Sequence, residues 1–307
     1  MGSNFIRYVL QKYLDYAVVN IDKLTYSGNL DNLKDVERNS RYRFVKGDIC
    51  DSSLIEHYIK DIDVIINYAA ETHVDRSIMD ASSFVKTDVV GTQTLLELAR
   101  QYKTSRFIQI STDEVFGSIT EGKFTEDSPF MPNSPYAASK AGGDLIARSY
   151  ALTYNMPIIV THSCNFFGPF HYPEKFIPLT IVNLLQDKKV PLYGDGLNVR
   201  EWIYTQDHCL AIDLILHQGK IGGVYNISSG EELKNIDVLK SILKILKKDD
   251  SYIEYISDRP GHDRRYAIDS SKLRKELGWV PKYGFFDALE KTIQWFKNNE
   301  WWWMPLV

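Results

Sequence analysis

Residues 106–117 read RFIQISTDEVFG and residues 134–148 read SPYAASKAGGDLIAR. In the first segment, apolar Phe107, Ile108 and Ile110 predict a buried strand that gives way to hydroxyl and carboxylate side chains, as parallel strands do where they end at a ligand cleft. The Ser-Pro pair that opens the second segment predicts the start of a helix, because proline favours the first helical position. Together the segments predict a strand end and a helix that meet at one edge of a parallel sheet.

Tyr136 and Lys140 lie four residues apart in the second segment, so a helix would place the phenol and the ammonium on the same face. An ammonium stabilises a neighbouring phenolate, so the pKa of such a tyrosine falls below its usual value of about 10 and it can take a proton from an alcohol. The spacing alone also occurs by chance, and the adjacent Asp113 and Glu114 would equally suit a solvated loop or a helix cap. Their combination at one sheet edge favours catalysis.

The overall composition is that of an ordinary folded protein. The chain has 307 residues, 44% hydrophobic and 25% charged, enough for a sizeable core in one or two domains. A net charge of −4 without a basic stripe argues against a nucleic-acid partner. The three cysteines lack metal-site spacing, and no apolar run approaches the roughly 18 to 20 residues of a membrane span. We therefore expect no metal site, no membrane partner and a cytoplasmic location.

The first half of the chain alternates predicted strands with predicted helices, which is typical of a doubly wound parallel sheet. Asp22 follows an apolar strand, where a carboxylate accepts hydrogen bonds from adenosine ribose hydroxyls and repels a 2′-phosphate, so it favours NAD over NADP. A capping role is the alternative for Asp22. Asp48 follows the next strand, where it could meet the adenine edge. The small side chains of Ala69 and Ala70 would let a cofactor approach a third strand end closely.

The predicted organisation is a Rossmann-like domain at 1–165 and, mainly, a smaller substrate-covering lobe at 166–307. A long helix with an apolar stripe is expected at Ser77–Tyr102. After residue 165 the rhythm changes, because glycine and proline punctuate shorter elements. We find no flexible linker, so the two lobes should pack as one unit. Helices in the second lobe are predicted at 177–186, 207–217, 236–246 and 286–298.

Seven segments spread over nearly the whole chain share one family pattern. They are IDKLTYSGN (21–29), AAETHVDRSI (69–78), STDEVFG (111–117), PYAASKA (135–141), FGPFHYPEKFIP (167–178), YGDGLNVREWIYTQDH (193–208) and RPGHDRRYAID (259–269). In these segments the chain resembles the extended short-chain dehydrogenase/reductase family and, within it, the dTDP-glucose 4,6-dehydratases. The Asp-Glu pair at 113–114 is specific, since related epimerases and decarboxylases generally lack it, and the segment at 259–269 is more specific still.

The resemblance implies dehydration of a nucleotide-diphosphate hexose that begins with an oxidation. Tyr136, assisted by Lys140, would remove the proton of the sugar C4 hydroxyl while hydride passes to NAD. The resulting ketone makes the C5 proton acidic. By the family pattern Glu114 is the base that takes this proton, Asp113 is the acid that protonates the departing C6 hydroxyl, and Thr112 hydrogen-bonds the hexose. Hydride then returns to C6, which implies that NAD stays bound through the cycle.

The resemblance also implies a set of binding residues. Those for the cofactor are Gly2, Asp22, Lys23, Asp48, Ile49, Ala69, Ala70, Ser111, Tyr136 and Lys140. Those for the substrate are Ser77, Thr112, Asn165, Lys175, Arg200, Asn235, Arg259 and His262. Guanidinium groups suit a diphosphate because they make paired hydrogen bonds to its oxygens, although a surface salt bridge is the alternative for each arginine. The implied partner is a second copy of the chain, joined through a four-helix bundle of the helices predicted at 77–102 and 136–154.

The chain departs from the family pattern at its start. Family members begin with a strand and a turn of the form T-G-G-x-G-F-I-G-S-N, whereas this sequence begins Met1-Gly2-Ser3-Asn4-Phe5 and keeps only the last glycine. The absent part would supply a central strand and the backbone amides that hold the cofactor pyrophosphate at a helix N-terminus. We therefore expect that the natural chain begins upstream of Met1.

Smaller departures leave two alternatives open. The usual Arg-x-x-Asn-Asn-Tyr-Gly-Pro becomes His162-Ser-Cys-Asn-Phe-Phe-Gly-Pro, so Phe166 and Phe167 replace an amide and a hydroxyl beside Asn165, and Asn67 stands where histidine is common. One alternative is a related epimerase or decarboxylase, which would have no use for a paired acid and base. The other is a non-catalytic nucleotide-sugar-binding paralogue that lacks the phosphate loop.

Overall fold

The computed structural model describes residues 1–307 and contains eleven strands in four sheets. Numbered along the chain, the strands are β1 (Val18–Asp22), β2 (Tyr42–Lys46), β3 (Val64–Asn67), β4 (Arg106–Thr112), β5 (Ile158–Ser163), β6 (Asn165–Phe167), β7 (Val190–Tyr193), β8 (Val199–Tyr204), β9 (Val224–Ile227), β10 (Glu232–Lys234) and β11 (Ile253–Ile256). The α-helices are α1 (Gly2–Lys12), α2 (Ser52–Ile59), α3 (Val74–Met79), α4 (Ser82–Phe84), α5 (Thr92–Gln101), α6 (Pro135–Tyr154), α7 (Phe176–Leu185), α8 (Thr205–Gln218), α9 (Asn235–Ile245), α10 (Ser271–Leu277), α11 (Phe285–Asn298) and α12 (Glu300–Trp303).

The central sheet is parallel, with the strand order β3-β4-β5-β9. Its strands are apolar because helices cover both faces: Phe107 and Ile108 of β4 are 1% and 0% exposed, and every residue of β5 is buried. The predicted doubly wound α/β fold is thus confirmed. The chain beyond residue 165 contributes β9 to this sheet, so the two predicted lobes share a layer.

A second parallel pair, β1 with β2, forms its own sheet in the register Val18 to Tyr42. No hydrogen bond joins β1 to β3, the edge of the central sheet. Residues of both strands instead line one cavity. The carboxyl ends of β1, β3 and β4 therefore surround a shared space.

The helix predicted after β4 is confirmed as α6. Ser134 caps it, since its Oγ accepts a hydrogen bond from the amide of Ala137 at 3.1 Å, and Pro135 takes the first helical position. The helix ends where Asn155 adopts a left-handed conformation with a φ of 52°. A methyl group on Gly143 would lie 2.5 Å from the carbonyl oxygen of Asp88, so this glycine lets α6 pack closely against the preceding helical segment.

The single helix predicted at Ser77–Tyr102 is wrong in detail, because the segment is interrupted. Helix α3 ends at Met79, and Asp80 is extended with a φ of −147°. The Asp80 carboxylate accepts hydrogen bonds from the amide and hydroxyl of Ser82, which starts the next turn of helix. The chain then passes through seven residues of π-helix, Val85–Gly91, before α5 begins. An apolar stripe persists across such a break, so the sequence pattern did not reveal it.

The second lobe has its own core, which includes Trp202, Trp302 and Trp303, each at most 5% exposed. Two small sheets, β6-β8-β10 and β7-β11, carry this lobe. The four helices predicted here are confirmed as α7, α8, α9 and α11, each within two residues of the expected bounds. No helix has the length and apolar character needed to cross a bilayer.

Candidate active site

A cavity of about 1610 Å³ opens at the carboxyl ends of β1, β3 and β4. The two key segments of the sequence meet here, because its wall includes Ser111 to Glu114 after β4 and both Tyr136 and Lys140 from α6. Side chains of the second lobe, among them Asn165 and Lys175, complete the wall. The cavity thus runs along the whole of β1 and β3 and reaches the second lobe.

Tyr136 and Lys140 are both buried, at 8% and 4% exposure. The ammonium of Lys140 is fixed by a 2.8 Å hydrogen bond that it donates to the carbonyl oxygen of Ile110, the strand residue just before Ser111. Burial raises the pKa of the Tyr136 phenol well above its usual value, and the carboxylates of Glu114 and Asp88 raise it further. The expectation that Lys140 lowers this pKa is therefore wrong for the site as it stands, because burial and the two carboxylates outweigh the ammonium.

Asp113 and Glu114 occupy one 3₁₀ turn (113–116) directly after β4, so both point into the site from the same place. Thr112 caps this turn, since its Oγ1 accepts a hydrogen bond from the amide of Glu114 at 3.3 Å. Asp113 is 2% exposed, and burial raises its pKa well above the usual range, with further increases from the charges of Glu114 and Glu201. Asp113 is thereby favoured as the protonated partner of the pair.

Glu114 lies in a different electrostatic setting from Asp113. Burial raises its pKa, but the positive charges of Arg200, Arg259 and Lys175 all lower it. These cations favour the ionised carboxylate. The pKa of Asp113 is thus raised more strongly than that of Glu114, and such a difference suits one group to act as an acid and the other as a base.

The cationic residues near Glu114 are each held by neighbours. Lys175 donates to the carbonyl oxygen of Thr72 at 2.6 Å, and burial lowers its pKa to about 8. Arg259 forms an ion pair with Asp75 at 3.1 Å. Arg200 is 5% exposed and donates to the carbonyl oxygen of Asp263 at 2.9 Å. Lys175 lines the cavity, whereas Arg200 and Arg259 lie outside its lining and act on Glu114 through their charge.

The predicted cofactor residues lie along the other side of the cavity. Asp22 is exposed at the end of β1, where one carboxylate oxygen accepts the amide of Leu24 at 2.7 Å. Lys23 and Asp48 form an ion pair at 2.8 Å, next to buried Ile49. Ala69 and Ala70 also line the cavity, whereas the Ser111 hydroxyl is turned away from it and donates to Asp144.

The donor groups on this side fit a dinucleotide. Helix α1 starts at Gly2 without any side-chain cap, so its first amides are free, and Met1, Gly2 and Ser3 line the cavity. Free amides at a helix N-terminus suit a pyrophosphate, and the Asp22 carboxylate at a strand end suits ribose hydroxyls. A Cβ at Gly2 would approach the Tyr68 side chain no closer than 3.6 Å, at its Cβ, so space alone does not demand glycine there.

Several predicted substrate residues lie outside the wall of this cavity. Ser77 is 1% exposed, and its hydroxyl donates to the carbonyl oxygen of Val74 within its own helix. Asn235 starts α9, and its amide donates to the carbonyl oxygen of Asn198. His262 pairs with Asp258 at 2.6 Å and lines a separate cavity of about 490 Å³.

Asn67 and His162, which depart from the family pattern, are both buried in the central sheet. Asn67 is buried and accepts the amide of Ala69 at 3.2 Å while it donates to Gln109 at 3.0 Å, so it ties the end of β3 to β4. His162 is 1% exposed, with Nε2 at 3.4 Å from the carboxylate of Asp144. Asn67 lines the cavity itself, whereas His162 lies outside its lining.

The structure also brings in side chains that no sequence pattern had singled out. Tyr266 and Asp263 contact the Glu114 region, and both belong to the specific segment at 259–269, which was the available signal. Asp88 lies buried behind α6, where its carboxylate accepts the Ser139 hydroxyl at 2.6 Å and burial raises its pKa to about 6. Only its position as a carboxylate in an apolar helical stripe could have marked Asp88.

Comparison with known proteins is consistent with this geometry. The family model described as GDP-mannose 4,6 dehydratase matches residues 1–292. The low-salt glycan biosynthesis protein Agl12 of Haloferax volcanii is 50% identical over 300 residues, which cover 98% of this chain and 96% of the relative. The dTDP-glucose 4,6-dehydratase of Streptomyces niveus is 47% identical over 310 residues, which cover 100% of this chain and 92% of the relative.

A solved structure gives the same result at the level of the fold. The crystal structure of DesIV, a dTDP-glucose 4,6-dehydratase from Streptomyces venezuelae with NAD and TYD bound, superposes with a TM-score of 0.98 at 48% identity. The superposition covers 100% of this chain and 96% of that chain. These matches confirm the resemblance that the sequence segments indicated.

Proposed function

This chain belongs to the GDP-mannose 4,6 dehydratase family, and we infer that it catalyses the NAD-dependent dehydration of dTDP-glucose to the 4-keto-6-deoxy sugar. One observation carries this conclusion. Adjacent Asp113 and Glu114 share the cavity with Tyr136, and burial raises the pKa of both, but three cations oppose the rise for Glu114, so Asp113 holds its proton more strongly. Elimination of water across C5 and C6 needs this combination of acid and base, whereas simple epimerisation at C4 does not.

We propose that Tyr136 acts first, as the base for the sugar C4 hydroxyl. Lys140, anchored on the carbonyl oxygen of Ile110, supplies the positive charge that favours its phenolate. Thr112, whose Oγ1 already caps the turn at Glu114, is placed to hydrogen-bond the hexose. When bound, NAD would supply reversible hydride acceptance, and a proton given back to C5 would balance the return of hydride to C6.

Elimination falls to the two carboxyl groups. The ionised Glu114 takes the C5 proton, which the neighbouring C4 ketone has made acidic. The buried and protonated Asp113 gives its proton to the C6 hydroxyl, which leaves as water. The turn at 113–116 keeps the two groups adjacent, so the base can act on the ring carbon C5 and the acid on the hydroxyl of its exocyclic neighbour C6.

The binding roles follow from the two sides of the cavity. The residues proposed to hold NAD line the cavity, and two of them form the Lys23–Asp48 ion pair. They are Gly2, Asp22, Lys23, Asp48, Ile49, Ala69, Ala70 and Ser111. Lys175, Arg200 and Arg259 are proposed to bind the substrate diphosphate, because they present the fixed cations of the site. Ser77, Asn165, Asn235 and His262 remain proposed substrate residues.

We propose a homodimer that joins through α5 and α6. Large apolar side chains that are exposed on α6 and on the π-helical segment before α5 support the proposal. They are Val85, Val90, Leu145 and Leu152, with exposures from 46% to 74%. Two copies of this face would form a four-helix bundle, and light scattering at micromolar concentration tests whether the protein is a dimer. The three cysteines are all unpaired, which supports the further proposal of a reducing, cytoplasmic compartment.

Product analysis in D₂O tests the proposed reaction. Incubation with dTDP-glucose should give a 4-keto-6-deoxy sugar that carries deuterium from solvent at C5, as read by NMR. Recovery of only the C4 epimer would show instead that the chain is an epimerase. Recovery of unchanged substrate, with binding of the nucleotide sugar demonstrated by calorimetry, would favour a non-catalytic role.

A further inference from the structure

Tyr266 joins Glu114 to a second carboxylate, that of Asp263. The phenol is 3% exposed, and its oxygen lies 2.7 Å from Asp263 Oδ2 and 3.4 Å from Glu114 Oε2. A phenol has one proton to donate, so the two carboxylates compete for it. The shorter contact makes Asp263 the main acceptor of the phenol's hydrogen bond, and Glu114 is the second acceptor.

Asp263 is itself held firmly. Its Oδ1 accepts a hydrogen bond from Asn133 Nδ2 at 2.6 Å, and its carbonyl oxygen accepts from Asn198 and Arg200 at 3.2 and 2.9 Å. Asn133 lies just before the cap of α6, so this contact ties the segment at 259–269 to the helix that carries Tyr136. The Asp263 carboxylate is therefore a fixed reference for the phenol.

The ring of Tyr266 is fixed as well. The guanidinium of Arg200 lies 4.1 Å from the ring centroid, a cation–π contact on one face. Because ring and acceptor are both held, the hydroxyl has few positions open to it. Its position between Asp263 and Glu114 is therefore fixed.

We propose that Tyr266 is a positioning residue for removal of the C5 proton: its hydroxyl orients the Glu114 carboxylate, and Asp263 controls how far that hydroxyl is shared. This inference rests on the proposed function, since it concerns only the step assigned to Glu114. Tyr266 touches the base and not the reacting atoms.

The charges around Glu114 predict the direction in which the pKa of Glu114 should shift when Tyr266 or Asp263 is substituted. Burial raises the pKa of Glu114, Arg200, Arg259 and Lys175 lower it, and Asp263 raises it; Asp113 and Tyr136 are its other ionisable neighbours. A hydrogen bond donated to an ionised carboxylate lowers its pKa. Loss of the phenol hydroxyl should therefore raise the pKa of Glu114, whereas loss of the Asp263 charge should lower it and free the phenol to donate to Glu114.

The test compares Tyr266→Phe, Asp263→Asn and the control Tyr225→Phe. Tyr225 is matched because it is fully buried and donates its hydroxyl to a carboxylate, Glu276 at 2.9 Å, on β9 away from the cavity. The readouts are kcat and KM for dTDP-glucose, deuterium exchange at C5, and the pH profile of kcat. A single-turnover measurement of NADH absorbance reports the C4 oxidation separately.

Tyr266→Phe should lower kcat and C5 exchange about tenfold to a hundredfold, with KM within about threefold and C4 oxidation near the wild-type rate. The acidic limb of its pH profile should move to higher pH by about half a unit or more, and that of Asp263→Asn should move to lower pH. Tyr225→Phe should match wild type in all these readouts.

Other outcomes contradict the inference in separable ways. Equal slowing of C4 oxidation and C5 exchange in Tyr266→Phe, without movement of the acidic limb, would show a structural role only. Movement of the limb in the same direction in both variants would refute the control assigned to Asp263. Wild-type protein that forms no 4-keto-6-deoxy sugar would instead overturn the proposed function.

Discussion

The two sides of the cavity differ in how strongly water screens their charged groups. On the catalytic side, where β4 ends against α6, Asp113, Tyr136 and Lys140 are 2%, 8% and 4% exposed. On the cofactor side, at the end of β1, Asp22 is exposed and Lys23 is 50% exposed in its ion pair with Asp48. Charges on the first side act in a poorly screened environment, and those on the second are screened by water.

The difference explains why the reaction is assigned to one side. Burial raises the pKa of both Asp113 and Glu114, and the cations that act on Glu114 keep its rise smaller than that of its sequence neighbour. Asp22 lies at the surface, where water screens its charge. Substitutions on the catalytic side should therefore have large effects on rate, and those on the cofactor side should have small effects on affinity.

The largest effect is expected from Tyr136→Phe. Loss of the phenol removes the base for the C4 hydroxyl, so NADH should not form and turnover should fall by about 10³-fold to 10⁴-fold. Single-turnover absorbance with dTDP-glucose measures this step. Tyr225→Phe serves as the matched control for loss of a buried tyrosine hydroxyl. Normal NADH formation in Tyr136→Phe would assign the base elsewhere.

Glu114→Gln should separate the two halves of the reaction. The amide keeps the shape of the side chain but cannot take the C5 proton, so dehydration and C5 exchange should fall by about 10²-fold to 10³-fold while NADH still forms. Deuterium incorporation from D₂O and NADH absorbance, measured on the same sample, give the two rates. Exposed Glu290→Gln on α11 is the control, and exchange that survives in Glu114→Gln would refute the base assignment.

Asp113→Asn should have a smaller effect that depends on the leaving group. The amide cannot protonate the departing hydroxyl, so dehydration should slow by about tenfold to a hundredfold while C5 exchange continues. A substrate with fluoride in place of the C6 hydroxyl needs no proton to leave, so it should restore the rate. Equal slowing with both substrates would mean that Asp113 does not act as the acid.

The pH profile of wild-type activity follows from the same pair. Glu114 must be ionised to act as the base. Its pKa is raised, so activity should be lost as pH falls through the raised pKa of Glu114. Asp113 must be protonated to act as the acid. Its pKa is raised further than that of Glu114, so activity should be lost as pH rises through the pKa of Asp113. The kcat profile of Asp113→Asn should therefore keep the acidic limb and lose the alkaline one.

The sequence predicted the catalytic side well because its chemistry lies in two short segments. An apolar run that ends in Thr112-Asp113-Glu114, and a Ser-Pro start before Tyr136, are local signals that the fold brings together at one sheet edge. The strand and helix predicted there are confirmed as β4 and α6. Local signals of this kind do not depend on distant residues.

Features set by distant contacts were missed. Tyr266 lies 152 residues from Glu114, and nothing in its own surroundings in the sequence marks it as a neighbour of that carboxylate. The expected lowering of the Tyr136 pKa was wrong because burial, which only the folded chain defines, outweighs a local Lys140. The break at Asp80 was missed because the apolar periodicity continues on either side of it.

The smallest effect is expected on the cofactor side, from Lys23→Ala. The Lys23–Asp48 pair spans 2.8 Å but half of the lysine side chain is exposed, and such pairs contribute about 0 to 1 kcal/mol. NAD affinity should therefore fall by no more than about fivefold. The effect should shrink as the salt concentration is raised from about 50 mM to about 500 mM, because salt screens exposed charges. Fluorescence titration with NADH measures it, with Lys46→Ala, an exposed lysine on β2, as the control. A loss of a hundredfold, unaffected by salt, would show that Lys23 is as shielded as Lys140 and that the two sides of the cleft do not differ in screening.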